Sequence, residues 1–353
     1  MGGFIPSGAT AALLALVFLQ LAVPARAGAQ SAWLPFTGEA SVSLTFQSLN
    51  YGGHFDETGA KRESVGEIQS YYGILQLEYG LTDRLALNAR LPYITSRYTG
   101  SLDEPILVFI RDKYEEYRRT NPAAGASVDT GDYYGTLQDF GFTLRYNLLE
   151  RGLTVTPVIS MIVPSHDYRT IGEASAGQNL LALQTGVNVG RLLDPVAPNA
   201  YVHGRYTYSF VQRYRNIPLD RSTAEFEVGY AIAPTVVVRA LANWMRTHGG
   251  IPFDEALKDL SLFLEHDRLL SSRHWHVGAG ATVTLTDAFD LETAVSTFVS
   301  GAATRYGIGL NVGVTWRFLG PRVPPSPSRT ARAGAFRRDR ARGLVSVSGT
   351  RSR

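Results

Sequence analysis

Tyr306-Gly-Ile-Gly-Leu-Asn-Val-Gly-Val-Thr-Trp-Arg-Phe318 is the stretch that decides the fold. From Tyr306 every second residue is apolar (Tyr306, Ile308, Leu310, Val312, Val314, Trp316, Phe318), and the residues between are Gly, Asn311, Thr315 or Arg317. Successive side chains of a β-strand point to opposite faces, so this segment has one apolar face and one small or polar face. A helix would scatter the same residues around its circumference.

Working outward, Ala40, Val42, Leu44 and Phe46 alternate in the same way with Ser41, Ser43, Thr45 and Gln47. Comparable windows occur at about 68–79, 84–93, 136–148, 153–163, 179–190, 200–211, 222–232, 236–246, 273–285 and 290–299. Twelve strands result, the even number expected when a barrel strand series begins and ends on one side of a membrane. The links alternate in length. Short ones (Gly80–Asp83, Glu150–Gly152, Arg191–Pro198, Ala233–Pro234, Thr286–Ala288) alternate with mostly longer, polar ones at 49–67, 94–135, 164–178, 212–221, 247–272 and a brief 300–305. Short periplasmic turns facing longer extracellular loops form the outer-membrane pattern. Aromatics near strand ends (Tyr71, Tyr72, Tyr79, Tyr93, Tyr98, Tyr146, Tyr206, Tyr208, Tyr230, Trp244, Trp275, Trp316) fit interfacial girdles. The expected fold is therefore all-β: a transmembrane antiparallel up-and-down barrel of about twelve strands. Short helices are expected in two loops, at Pro105–Arg119 and at Pro252–Leu270, where Phe253, Leu257, Leu260, Leu264 and Leu269 recur at helical spacing.

Composition agrees with this reading without forcing it. The 353 residues have a mean hydropathy near zero, 35 Gly, 18 Tyr and no Cys. A spanning barrel averages lipid-facing and interior residues to neutrality, whereas a helical membrane protein needs runs of about 18 or more apolar residues. Ala11–Val23 is the one sustained apolar run; with Pro24 and the small residues to Ala29 it reads as a cleaved signal peptide, although Met1–Thr10 lacks Lys and Arg. Expected domains are thus a signal peptide at 1–29, a barrel at 30–319 and a disordered Arg/Pro/Ser-rich tail at 320–353. The tail has nine Arg against Asp339 alone, so the basic pI of about 9.0 belongs to it and gives no indication of nucleic-acid binding by the folded part.

With the apolar face outward, the interior receives Glu78, Arg84, Arg90, Asp139, Arg145, His203, Arg205, Glu225, Glu227, Arg239, Asn243, His274, His276, Glu292 and Arg317. Mixed charge along a pore filters solutes by size and charge; the same groups can instead pair across strands and fill the barrel. His274 and His276 share a strand face, as two metal ligands would, but have no evident third partner. The run Ser165-His166-Asp167 has the residue types of a nucleophilic triad, yet neighbours on a strand point to opposite faces. No catalytic residue, metal or cofactor is expected. The expected role is passive passage of small solutes, hydrophobic or aromatic ones among them, across a cell outer membrane. The competing reading is a structural or adhesive barrel that does not conduct, and a rim hydrolase ranks below both.

Several runs resemble a known family. Leu137-Gln-Asp-Phe-Gly-Phe-Thr-Leu-Arg-Tyr-Asn-Leu148 looks like the Gly-Asp-(Leu/Ile)-x-(Leu/Val)-x-x-(Lys/Arg)-(Tyr/Phe) strand of the outer-membrane β-barrel family labelled for meta-pathway phenol degradation, or transporter-like. The turn Gly80-Leu-Thr-Asp83-Arg-Leu85, the strand Pro157–Pro164 and the terminal Trp316-Arg-Phe318 are similar too. Gln138 departs from the family's Gly, Ser165-His166 from its Thr-Gly, and the chain continues past Phe318. The resemblance spans about 35–318 and implies export or uptake of aromatic compounds. Trp316 and Phe318 resemble the terminal signal read by the barrel-insertion machinery. Outer-membrane lipid, small solutes and that machinery are the partners expected, with a monomer as the default state.

Overall fold

The computed structural model describes residues 32–100, 115, 116, 119, 127–256 and 258–319. The expected signal peptide, the tail beyond Leu319 and nearly all of the helix expected at Pro105–Arg119 lie outside the described residues. Among the described residues no helix is long and apolar enough to cross a membrane.

The chain forms one closed antiparallel sheet. Its strands are β1 (Glu39–Phe55), β2 (Lys61–Thr82), β3 (Leu85–Gly100), β4 (Tyr134–Leu137), β5 (Phe140–Tyr146), β6 (Leu149–Arg151), β7 (Leu153–Val163), β8 (Ala182–Leu192), β9 (Ala200–Val211), β10 (Leu219–Ala233), β11 (Val236–Gly249), β12 (Arg273–Thr284), β13 (Phe289–Ala302) and β14 (Thr304–Leu319). β4, β5 and β6 are pieces of one stave, with β4 and β5 pairing with β3 and β5 and β6 with β7, so the wall has twelve staves. Closure comes from β1 against β14, running from Glu39 opposite Leu319 to Phe55 opposite Thr304. Closing the sheet leaves no row of unpaired N–H and C=O groups, which is the condition for a sheet to survive in lipid.

The alternation seen in the sequence becomes an inside and an outside. Leu44 is 61% exposed and Ile308 60%, while Ser43 and Gly309 beside them are buried. Large apolar residues face outward and many inward wall positions are Ser, Thr, Asn or Gly, the reverse of a water-soluble protein. Inward hydroxyls pair across strands: Ser43 with Thr315, Ser70 with Ser96 and Thr143 with Ser160, each at 2.8 Å.

The strands reach further than the alternation alone indicated, mostly at the loop end. β1 and β2 continue through the expected 49–67 loop to a five-residue turn at 56–60, and β13 and β14 meet across Ala303 alone. These extensions carry bulges, such as the one between Tyr51 and Gly53, which interrupt the two-residue period and hide strand from a pattern reading. In the 250–272 loop the expected helix breaks into single turns at Phe253–Ala256, Leu260–Phe263 and His266–Leu269.

Candidate functional site

Register assigns each interior residue a place. One hydrogen-bonded row joins Thr156, Asn188, Arg205, Glu225, Asn243, His276 and Phe298 across β7 to β13. The next places His203 beside Glu227, and another sets Arg239 beside Gly280. Glu78, Arg90, Arg145 and Arg317 occupy inward positions on β2, β3, β5 and β14, His274 and Glu292 lie inward at other heights of β12 and β13, and Asp139 sits between β4 and β5, where it accepts from Tyr168. Arg84 is a correction: it is exposed in the turn between β2 and β3, because β3 begins only at Leu85.

Toward the turn end the interior charges are paired. Arg145, 1% exposed, ion-pairs with Glu78. Arg239 lies 3.7 Å from Glu227 and 3.4 Å from Glu292, and Tyr201 donates its hydroxyl to Glu227. Arg317 is ion-paired with Asp290, which also accepts from Thr284 at 2.6 Å. Pairing offsets the several kcal/mol that an isolated charge in such surroundings costs. Toward the loop end Arg90, Arg205, Arg221, His274 and His276 have no carboxylate within ion-pair distance among the described residues. His274 and His276 pack against Phe298 with ring centroids 5.1 and 4.8 Å away.

Segments of the chain pack into both mouths. At the turn end the segment before β1 crosses the opening. Gly38 donates to Gly80 and Thr37 to Asp83, anchoring one end at β2, while Thr156 on β7 donates to the carbonyl of Ala32 at 2.6 Å. Trp33 packs edge-on against Tyr201 of β9 at 5.9 Å and covers Gly190 of β8, where a Cβ would meet Ala32 at 2.8 Å. β1 and β2 stand nearly opposite β7 to β9 in a twelve-stave wall, so Ala32–Thr37 spans the mouth. Six residues reach roughly 20 Å when extended.

At the loop end, residues of 164–181 fold inward. Tyr168 and Ala176 bury against Ile94, and the Tyr168 hydroxyl donates to Asp139 at 2.6 Å. Leu269 of the 250–272 loop packs on Leu180 and Leu219. Arg305 of β14 ties the loops to the wall, donating to Glu173 and Asp267 at 2.6 Å each. Glu173, His266 and Asp267 form the one close group of His, Asp and Glu ligand atoms among the described residues, and the guanidinium of Arg305 already engages both carboxylates. The Arg305 and His266 charges hold the Glu173 carboxyl below its ordinary value against the opposing effect of burial. Asp129 accepts the amide hydrogens of Glu173 and Ala174 at 2.7 and 2.9 Å, yet burial pushes its carboxyl up to about 6.

The Ser165-His166-Asp167 run does not assemble a triad. Ser165 Oγ lies 2.9 Å from His166 Nδ1, but His166 Nε2 faces Thr136 Oγ1 at 3.1 Å, and Asp167 accepts from Asn179 instead. Among the described residues the imidazole therefore has no carboxylate to orient it. Trp316 and Phe318 face outward at the turn end, Trp316 stacked on Phe289 at 6.2 Å and 10°.

Sequence reasoning missed Asp290, Arg221, Tyr201, Arg305 and the Ala32–Thr37 segment. Asp290 shares the parity of Glu292, and Arg221 lies one residue outside the window drawn at 222–232, so both were within reach of the pattern. Tyr201 is inward although its residue type suggests a girdle, and nothing local marks Ala32–Thr37.

No protein-family model and no curated protein matches the sequence. Among solved structures, an outer-membrane channel from Pseudomonas putida F1 is similar with a TM-score of 0.61 at 15% identity, over 83% of this chain and 100% of that one. The translocator domain of the autotransporter NalP from Neisseria meningitidis (TM-score 0.44, 13% identity, 88% of this chain and 98% of that one) and the NanC porin (0.42, 8%, 77% and 98%) are more distant. At such identities the first likeness is one of fold.

Proposed function

We propose that this chain is an outer-membrane channel for small solutes, hydrophobic or aromatic ones among them, moving by passive diffusion. The observation that carries the reading is the closed twelve-stave wall with a continuous apolar exterior around a charged interior. Such a wall is stable in hydrocarbon and unstable in water. Likeness in fold to a solved outer-membrane channel supports it, and the resemblance to the meta-pathway family supports an aromatic solute. On this reading the short turns face the periplasm, bilayer lipid covers the exterior, Trp316 and Phe318 serve the insertion machinery, and the monomer suffices.

Solute is expected to meet the loop-end residues Arg90, Arg205, His274, His276 and Phe298 first, and then the paired belt of Glu78, Arg145, Glu227, Arg239 and Glu292. Ala32–Thr37 restricts the exit. The test is single-channel conductance in planar bilayers, with full chain and with a variant lacking residues 32–37. Discrete steps that grow when the segment is removed support a channel restricted by its own N-terminal segment. Silence from both proteins after verified insertion refutes conduction.

A further inference from the structure

The exterior of β11 and β12 carries a feature that channel function does not use. Arg246 and Arg273 are directly opposed across these strands, on the outward face, and both are exposed. Opposed residues on neighbouring strands have Cβ atoms about 5 Å apart, and like charges so placed repel. Neither guanidinium has an ion-pair partner among the described residues. Ser222, opposite Arg246 on β10, has its hydroxyl engaged by Tyr206 at 2.9 Å and His248 at 2.7 Å. Asp220, the next carboxylate on that strand, accepts from the Val211 amide at 2.9 Å and the Tyr208 hydroxyl at 3.3 Å.

The pair's height on the wall is what gives it meaning. One step toward the turn end, Trp244 and Trp275 oppose each other with ring centroids 6.5 Å apart, as girdle residues at a membrane boundary do. Tyr230 and Val238 form the corresponding outward pair near the turn end. From Ile232, an exposed apolar residue at the turn end of β10, to Ser222 opposite Arg246 is ten residues, about 33 Å along a strand, or about 25 Å along the membrane normal at a tilt of ~40°, against an apolar band of about 25 Å. The two arginines therefore sit at the loop-side edge of that band. Below the tryptophans the outward positions are small, Ala240 and Ala242 opposite Ala279 and Val277, with Phe226 on β10 rising beside them.

Resting on the membrane reading above, we infer that Arg246 and Arg273 bind the phosphate of a phosphorylated lipid headgroup in the outer leaflet, with an acyl chain lying along the alanine strip beneath. A phosphate oxyanion between the two guanidiniums turns a repulsive pair into two charge-assisted interactions. The Trp pair marks the depth at which headgroup gives way to acyl chain.

The test uses the full chain in detergent, titrated with bisphosphorylated lipid A or its dephosphorylated form and read by native mass spectrometry, after heat-modifiable mobility and liposome insertion have been measured. Wild type is expected to retain the phosphorylated lipid selectively, and excess inorganic phosphate is expected not to displace it. Arg246→Gln with Arg273→Gln should weaken retention about thirtyfold, roughly fivefold per charge, whereas the double Lys variant should keep most of it. If the double Gln variant does not fold, the single variants are each expected to show the fivefold loss. Equal retention of both lipid forms, no change in the Gln variants, or displacement by phosphate alone overturns the inference while leaving insertion and the channel reading standing. Failure of the wild type to enter liposomes removes both.

Discussion

Arg145 and Glu78 face each other on the interior wall, and their pairing sets what either substitution does. Arg145→Ala leaves a buried carboxylate without its partner, and a loss of about 3–5 kcal/mol is expected in the urea midpoint of the folded, heat-modifiable form. Replacing both, Arg145→Met with Glu78→Leu, removes the unpaired charge and is expected to recover most of that loss. Asp129 makes the opposite kind of prediction. Its carboxyl is pushed up to about 6 by burial, above its ordinary value, so burial in the folded loop favours its protonated form against the opposing pull of the Glu173 and Ala174 amides. The stability it contributes is full at pH below its unfolded value and is lost as pH rises through 6. Exchange of the Glu173 and Ala174 amides, corrected for intrinsic rates, is expected to be slower at pH 5 than at pH 7.5. Asp129→Asn should flatten that dependence; an unchanged slope in the variant would assign it elsewhere.

At the scale of the element, β14 carries its two roles on alternate residues. Leu310 lies midway along its outward face and Asn311 on its inward face. Leu310→Arg is expected to cost ~2–4 kcal/mol through charge at the bilayer mid-plane, while Asn311→Arg should leave stability nearly intact and change conductance. Folding yield into liposomes together with single-channel traces separates the two. The Ala32–Thr37 segment is a second element with a testable contact. Gly190 leaves room for Ala32 and Trp33, so Gly190→Val is expected to dislodge Trp33 and raise its quenching by acrylamide without opening the barrel wall.

The whole molecule is a wall with chain segments packed into both mouths, and its parts differ in how legible they were. The wall was nearly fully readable, because alternation is local and each strand reports its own two faces. Many of its inward charges share that parity, Glu78 and Glu292 among them, but Asp290 and Arg221 on the same faces were passed over, and Arg84 lies outside because β3 begins one residue later, at Leu85. The covers were not readable. Tyr168 reaches Asp139, Arg305 reaches Glu173 and Asp267, and Thr156 reaches Ala32, contacts separated by 29 to 132 residues that no short window contains.

The sequence by itself determined an all-β barrel of twelve staves, its inner and outer faces and the contrast between its short-turn and loop ends, since each rests on a two-residue period or on link length. Only the tertiary structure decided which interior charges are paired, that Arg246 meets Arg273 across the outer wall, and that a segment before β1 spans the turn-end mouth. Those depend on register and on closure, which set the neighbours of a residue through strands distant in the chain rather than through its own flanks.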